Sequence, residues 1–137
     1  MSASPTRSRH WLWPHLLVLG CAVVCLAWAT LASMSGRQVG WMIILGAVEA
    51  CWMLSLGGLR GGRLRIAVAL IATLAMFLVG NALIGAMLTG QVMGLNLFES
   101  SLRIGPHLAT SYAMLRNGMS EVVMLGIALL LAWRLAR

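Results

Sequence analysis

Glu49 is the residue whose chemistry is hardest to explain away. It lies in the middle of an apolar run. Its large apolar companions Ile43, Ile44, Leu45, Val48, Leu54 and Leu56 together favour membrane insertion by about 2 to 4 kcal/mol. A single acid at the centre of such a helix opposes insertion by about 2.5 to 3.5 kcal/mol, taking Asp as the guide. The segment is therefore marginal by itself, and Glu49 should turn toward protein. Its helical neighbours Leu45, Gly46, Trp52 and Met53 include no cation, so the carboxyl is expected to be neutral or bonded to another helix. Two roles fit: a proton- or cation-binding carboxyl, or a hydrogen-bonding link between helices.

A second group of polar residues precedes the last apolar run. Gly105-Pro106 is a good helix start, with proline at the first helical position. A helix running on from there puts His107, Thr110, Ser111, Met114, Asn117, Gly118 and Glu121 on one face. Leu108, Tyr112, Leu115, Met119 and Val122 fall on the opposite one. The polar face should turn into the bundle or toward a partner. Just upstream, Leu95 to Ile104 reads as a short interfacial helix in which Glu99 and Arg103 are four apart and able to pair. The functional reading is an outward-facing polar pocket, floored by Asn117 and Glu121 and rimmed by His107, Glu99 and Arg103. The plain alternative is a solvated amphipathic segment. Asn81, between Gly80 and Gly85 in the third apolar run, is expected to make an interhelical hydrogen bond.

The cysteines sit among small residues. Cys21, Cys25, Ala29 and Ser33 are four apart, as are Ala47, Cys51 and Ser55. Small residues at that spacing let helix backbones approach closely in lipid, so these stripes should face each other or a third helix. Cys21 and Cys25 could form a soft-metal pair, but no further ligand stands at a fixed spacing. The ten methionines are scattered through the chain and read as adaptable packing. His10, His15 and His107 all lie outside the centres of the apolar runs, which argues against haem ligation. No phosphate loop, zinc-binding helix pair, nucleophile elbow or kinase signature occurs. Metal and cofactor are therefore expected to be absent.

The elements that must carry these residues are membrane spans. The chain has 137 residues, 61% apolar and 9% charged, with mean hydropathy +0.91. A soluble domain of this size could not bury so much apolar surface. The net charge of +7 is spread thinly between apolar blocks, which excludes a nucleic-acid-binding surface. The apolar stretches are continuous and not two-residue alternations, which excludes an outer-membrane barrel. Four runs, at 11–33, 40–58, 66–89 and about 118–134, approach the roughly 20 residues a spanning helix needs. The expected fold is all-α: one integral membrane domain, a four-transmembrane-helix bundle with a structured outer loop at 90–117. Gly57 and Gly58 should end the second helix.

Arginine sets the orientation. Every basic residue is Arg, and Arg keeps its charge. Arg7, Arg9, Arg60, Arg63, Arg65, Arg134 and Arg137 fall on one side; Arg37, Arg103 and Arg116 fall on the other. The positive-inside rule places both termini in the cytoplasm. Arg7 and Arg9 before an apolar run resemble a signal peptide, but the run continues well past Cys21 and reads as a retained first helix. Composition suggests a bacterial inner-membrane protein. The chain is similar in size to small four-helix drug exporters, but its first helix lacks the membrane acid of that family. With no catalytic constellation, the leading expectation is an accessory subunit. Its partners would be the lipid bilayer and another membrane protein or a second copy, with no nucleic acid. A small proton- or cation-coupled transporter using Glu49 or Glu121 is one alternative. An enzyme acting on lipid or quinone headgroups at the periplasmic face is another.

Overall fold

In the computed structural model, the described residues are 12–37, 39–103, 105, 107, 108, 111, 115 and 118–137. They form an all-helical fold, with no strand among them. Helix α1 spans Leu12–Ser35 and stops at Gly36, whose φ of +62° no side chain adopts readily. Helix α2 spans Met42–Leu56. A tighter turn precedes it, in which the amides of Met42, Ile43 and Ile44 donate to the carbonyls of Val39, Gly40 and Trp41. Its end is a Schellman cap. Gly58, at φ +79°, donates to Ser55 and Leu59 donates to Leu54. Gly57-Gly58 thus terminates α2 where the sequence places the stop.

Helix α3 spans Arg63–Met93, 31 residues, or about 46 Å at 1.5 Å per residue. It extends beyond the apolar run at both ends, taking in Arg63 and Arg65 before it and Gly90 to Met93 after it. Gly94 closes it in the left-handed conformation. Helix α4 is the short Leu97–Arg103, and the last helix, here α5, spans Met119–Ala136. Between them Gly105, His107, Leu108, Ser111 and Leu115 are helical. The predicted Pro106 helix start lies outside the described residues.

Helices α1, α3 and α5 are long and apolar enough to cross a membrane. Helix α2, with 15 residues, is about 22 Å long, shorter than the run 40–58, because its first turn is wound more tightly and its last residues form the cap.

The four longer helices run alternately up and down. Trp13 meets Gly57 and Gly20 meets Glu49 and Met53, so α1 and α2 are antiparallel. Cys25 meets Met76 and Trp28 meets Gly80, so α1 and α3 are parallel. Gly40 meets Glu121 and Cys51 meets Ala132, so α2 and α5 are parallel. Helices α2 and α3 touch each other and both outer helices, whereas α1 and α5 make no contact with each other among the described residues.

Small residues make this close approach possible, since lipid supplies no hydrophobic drive between helices. On α5 the buried side is Ala128, Ala132 and Ala136, all fully covered. On α3 it includes Ala69, Ala72, Thr73 and Gly80. The fully buried Trp28 ring lies across Gly80, where a methyl group would fall 2.5 Å from the ring. Short α4 docks on the end of α3 through buried Ser100, whose hydroxyl donates to the Ala86 carbonyl and packs on Gly90.

Candidate functional site

The two carboxyls of interest each rest against a glycine, Glu49 on Gly20 of α1 and Glu121 on Gly40 in the turn before α2. Glu49 is half-buried and faces α1. A methyl at Gly20 would lie 3.1 Å from its Oε1. Its Oε2 is buried and has no hydrogen-bond partner among the described residues. Glu49 also stands at the edge of an uncovered ridge. Trp41, Leu45, Val48, Trp52 and Leu56 are all exposed, and at about 100° per residue they fall within one narrow stripe of α2. Glu49 lies roughly 40° around from Leu45.

Glu121 is deeper, at 5% exposure, in the first turn of α5. Its carboxyl lies against Gly40 at the approach to α2. A methyl there would be 2.7 Å from Oε1 and 2.8 Å from Oε2. Any side chain at position 40 would have to push the Glu121 carboxyl aside. Oε2 again lacks a partner among the described residues.

The other expected site residues separate. His107 and Ser111 are exposed, and the Ser111 hydroxyl donates to the His107 carbonyl one turn back, at 2.9 Å. Glu99 and Arg103 are exposed on α4. Thr110 and Asn117 lie outside the described residues. The helix segment before α5 therefore exposes His107 and Ser111 along with Leu108 and Leu115, while Glu121 alone of the described stripe is buried. Asn81 is buried, and its amide donates to the Phe77 carbonyl in its own helix at 2.9 Å.

The small-residue stripes face third helices and not each other. Cys25 donates to the Met76 carbonyl of α3, and Cys51 to the Ala132 carbonyl of α5. Ala29 and Ala47 are fully covered. Ser33 donates to the Thr30 carbonyl within α1. Ser55 donates to the Cys51 carbonyl and receives Arg65 of α3.

Three features have no counterpart in the sequence reading. Trp28 is fully buried with its indole N–H unpartnered among the described residues. Its signal would have been Gly80, a glycine inside a helix with no turn to make. The Arg65 guanidinium reaches the α2 end, donating to the Cys51 carbonyl at 3.3 Å and to Ser55 Oγ. Its Nε is buried and unpartnered. Finally, an apolar groove of about 490 Å³ runs between α1 and α3, lined by Leu17, Cys21, Cys25, Ala72, Met76 and Leu83 among others. Among the described residues no cluster of metal-binding side chains occurs.

No protein-family model, curated protein or solved structure matches the chain.

Proposed function

We propose that the chain is a four-span inner-membrane protein of a bacterium, with both termini cytoplasmic, that serves as a partner-binding subunit without catalysis of its own. The uncovered ridge of α2 carries this reading. Trp52, one turn before the end of the helix, is 64% exposed, and half-buried Glu49 stands beside it with an oxygen that has no partner among the described residues. A polar group at mid-membrane is tolerated best against protein or water, and tryptophan is the residue type most enriched at binding hot spots. A helix from another subunit laid along this ridge supplies both needs. The fourth span is α2 itself. Packed against α1, α3 and α5, it depends less on its own hydropathy. The outer segment 90–117 then faces the periplasm.

A photo-reactive residue at position 48 or 52 tests the proposal in intact membranes. The expected result is a discrete protein adduct from both positions and none from position 71, where exposed Ile71 points from α3. Glu49→Ala should weaken the adduct. Equal lipid-only labelling at all three positions would overturn it. The fused-reporter counterpart is simple: a cytoplasm-dependent reporter after Arg137 should be active and one near Glu99 silent.

A second reading has its own support. Glu49 and Glu121 each hold a buried oxygen with no partner among the described residues, as a proton- or cation-coupled carrier would need. Retained adducts with lost transport in Glu49→Gln would favour that reading. An enzyme using His107 and Glu121 together has less support, since Glu121 is covered by Gly40 while His107 is exposed.

A further inference from the structure

The arginines that end the helices form a cluster with no acid among them. Arg60 lies in the α2–α3 turn and Arg63 is the first residue of α3, both exposed, and Arg65 is two residues further on. The α5 terminus closes on the same turn, since Gly61 lies beside the Arg137 carbonyl. Arg134 is exposed on the last turn of α5. The chain's three acids are all elsewhere: Glu49 is mid-helix in α2, and Glu99 and Glu121 belong to the opposite end. Arg65 adds a second observation. Two of its hydrogen bonds go to α2, yet its buried Nε–H points at no acceptor among the described residues. A buried guanidinium donor without an acceptor is costly, and an anionic oxygen is the acceptor that suits it.

The α1–α3 groove opens further along α3, on the side where Arg65 stands. At about 100° per residue, Arg65, Ala72, Met76, Val79 and Leu83 share one face of α3 within roughly 60°. The last four line the groove. Ala72 stands about 10 Å above Arg65 along the helix. On α1 the groove runs from Leu17 to Leu26, about 14 Å, close to half of a roughly 30 Å hydrocarbon core. That is the depth of one leaflet. Its walls are apolar, and small Ala22 and Ala75 keep it open.

We propose that this end of the molecule binds an anionic phospholipid, its phosphate among Arg60, Arg63 and Arg65 and one acyl chain along the α1–α3 groove. The positive cluster supplies the charge complementarity and the groove a seat of one leaflet's length. Basic pockets between transmembrane helices hold phospholipid headgroups for the same physical reasons. The inference rests on the membrane reading of the chain but not on the partner ridge of α2, which lies elsewhere on the bundle. A chain with no partner adduct at positions 48 and 52 can still bind this lipid, and the reverse, so the two tests fail independently.

The test uses the delipidated full chain in mild detergent, titrated with long-chain phosphatidylglycerol or phosphatidylcholine and read by native mass spectrometry. Phosphatidylglycerol should bind with clear preference. The exposed pair Arg60→Gln/Arg63→Gln should bind it roughly thirtyfold more weakly, at about fivefold per arginine. Arg103→Gln, on α4, should bind as the wild type does. Ala75→Trp, which fills the groove, should also weaken it, and soluble glycerophosphate should compete poorly. Arg65→Gln should weaken binding further where it folds; the exposed pair decides the matter if it does not. Equal binding of phosphatidylcholine, or unchanged binding by the Arg60/Arg63 variant, would overturn the headgroup site. Unchanged binding by Ala75→Trp, or full competition by glycerophosphate, would overturn the chain's place in the groove.

Discussion

Glu49 and Glu121 share a residue type, a glycine seat on a neighbouring segment and a buried oxygen with no partner among the described residues, but the backbone treats them differently. Glu121 lies in the first turn of α5 and against the turn that begins α2. Helix N-termini carry the positive end of the macrodipole, so two helix starts favour an acid there. Glu49 has no such help. It is seven residues into α2, where the backbone donors are spent within the helix. The fold thus gives a structural reason for Glu121 and none for Glu49. A costly group that the fold does not explain is the better candidate for function.

The largest effect expected from this contrast is on insertion. Glu49→Leu should improve membrane insertion of the isolated 40–58 segment by about 3 to 4 kcal/mol, the acid's cost plus leucine's gain. The fraction inserted by a translocon, read by glycosylation of flanking sites, measures it. An unchanged fraction would mean that the acid is already at an interface and not at mid-membrane.

Next in size is overpacking at the glycine seats. Gly40→Val should destabilise the folded protein by about 1 to 3 kcal/mol, because Glu121 is enclosed. Gly20→Val should cost less, since half-buried Glu49 can swing aside. Unfolding in detergent, followed by helical signal, gives both values. Pairing Gly40→Val with Glu121→Ala should recover part of the loss, and strict additivity of the two would sever the proposed contact.

The contrast also marks how far the sequence could be read. Apolar runs, the Gly57-Gly58 stop and the cysteine stripes are periodic or local, so the three span-length helices, the cap and the packing surfaces were legible. Glu49 was legible as a burden because its cost depends only on its own helix. The Gly40–Glu121 contact joins residues 81 apart in sequence, and nothing local marks it. The use of Gly90 as the seat of Ser100 depends on how α4 folds back. Ala128, Ala132 and Ala136 are four apart, yet among leucines and other alanines their stripe carries no distinct signal. The polar stripe was drawn by angle alone. Angle cannot tell which side of a helix a neighbour covers, and His107 and Ser111 lie exposed.

The smallest expected effect separates charge from shape. Glutamine keeps the size and hydrogen-bonding capacity of glutamate but cannot carry its charge. If helix N-termini are what suit Glu121 to its place, Glu121→Gln should destabilise the protein by about 0.3 to 1 kcal/mol, the usual worth of a charge at a helix end. Glu49, with no helix end near it, has no such charge interaction to lose. Glu49→Gln should leave unfolding in detergent unchanged, and the adducts from positions 48 and 52 should persist, because an amide can still bond across an interface. Glu49→Leu should keep the fold but weaken those adducts. Equal destabilisation by the two glutamine variants would remove the distinction between a carboxyl housed by the backbone and one left for a partner. Lost activity with intact adducts in Glu49→Gln would move the assignment from partner binding to proton or cation chemistry at that carboxyl.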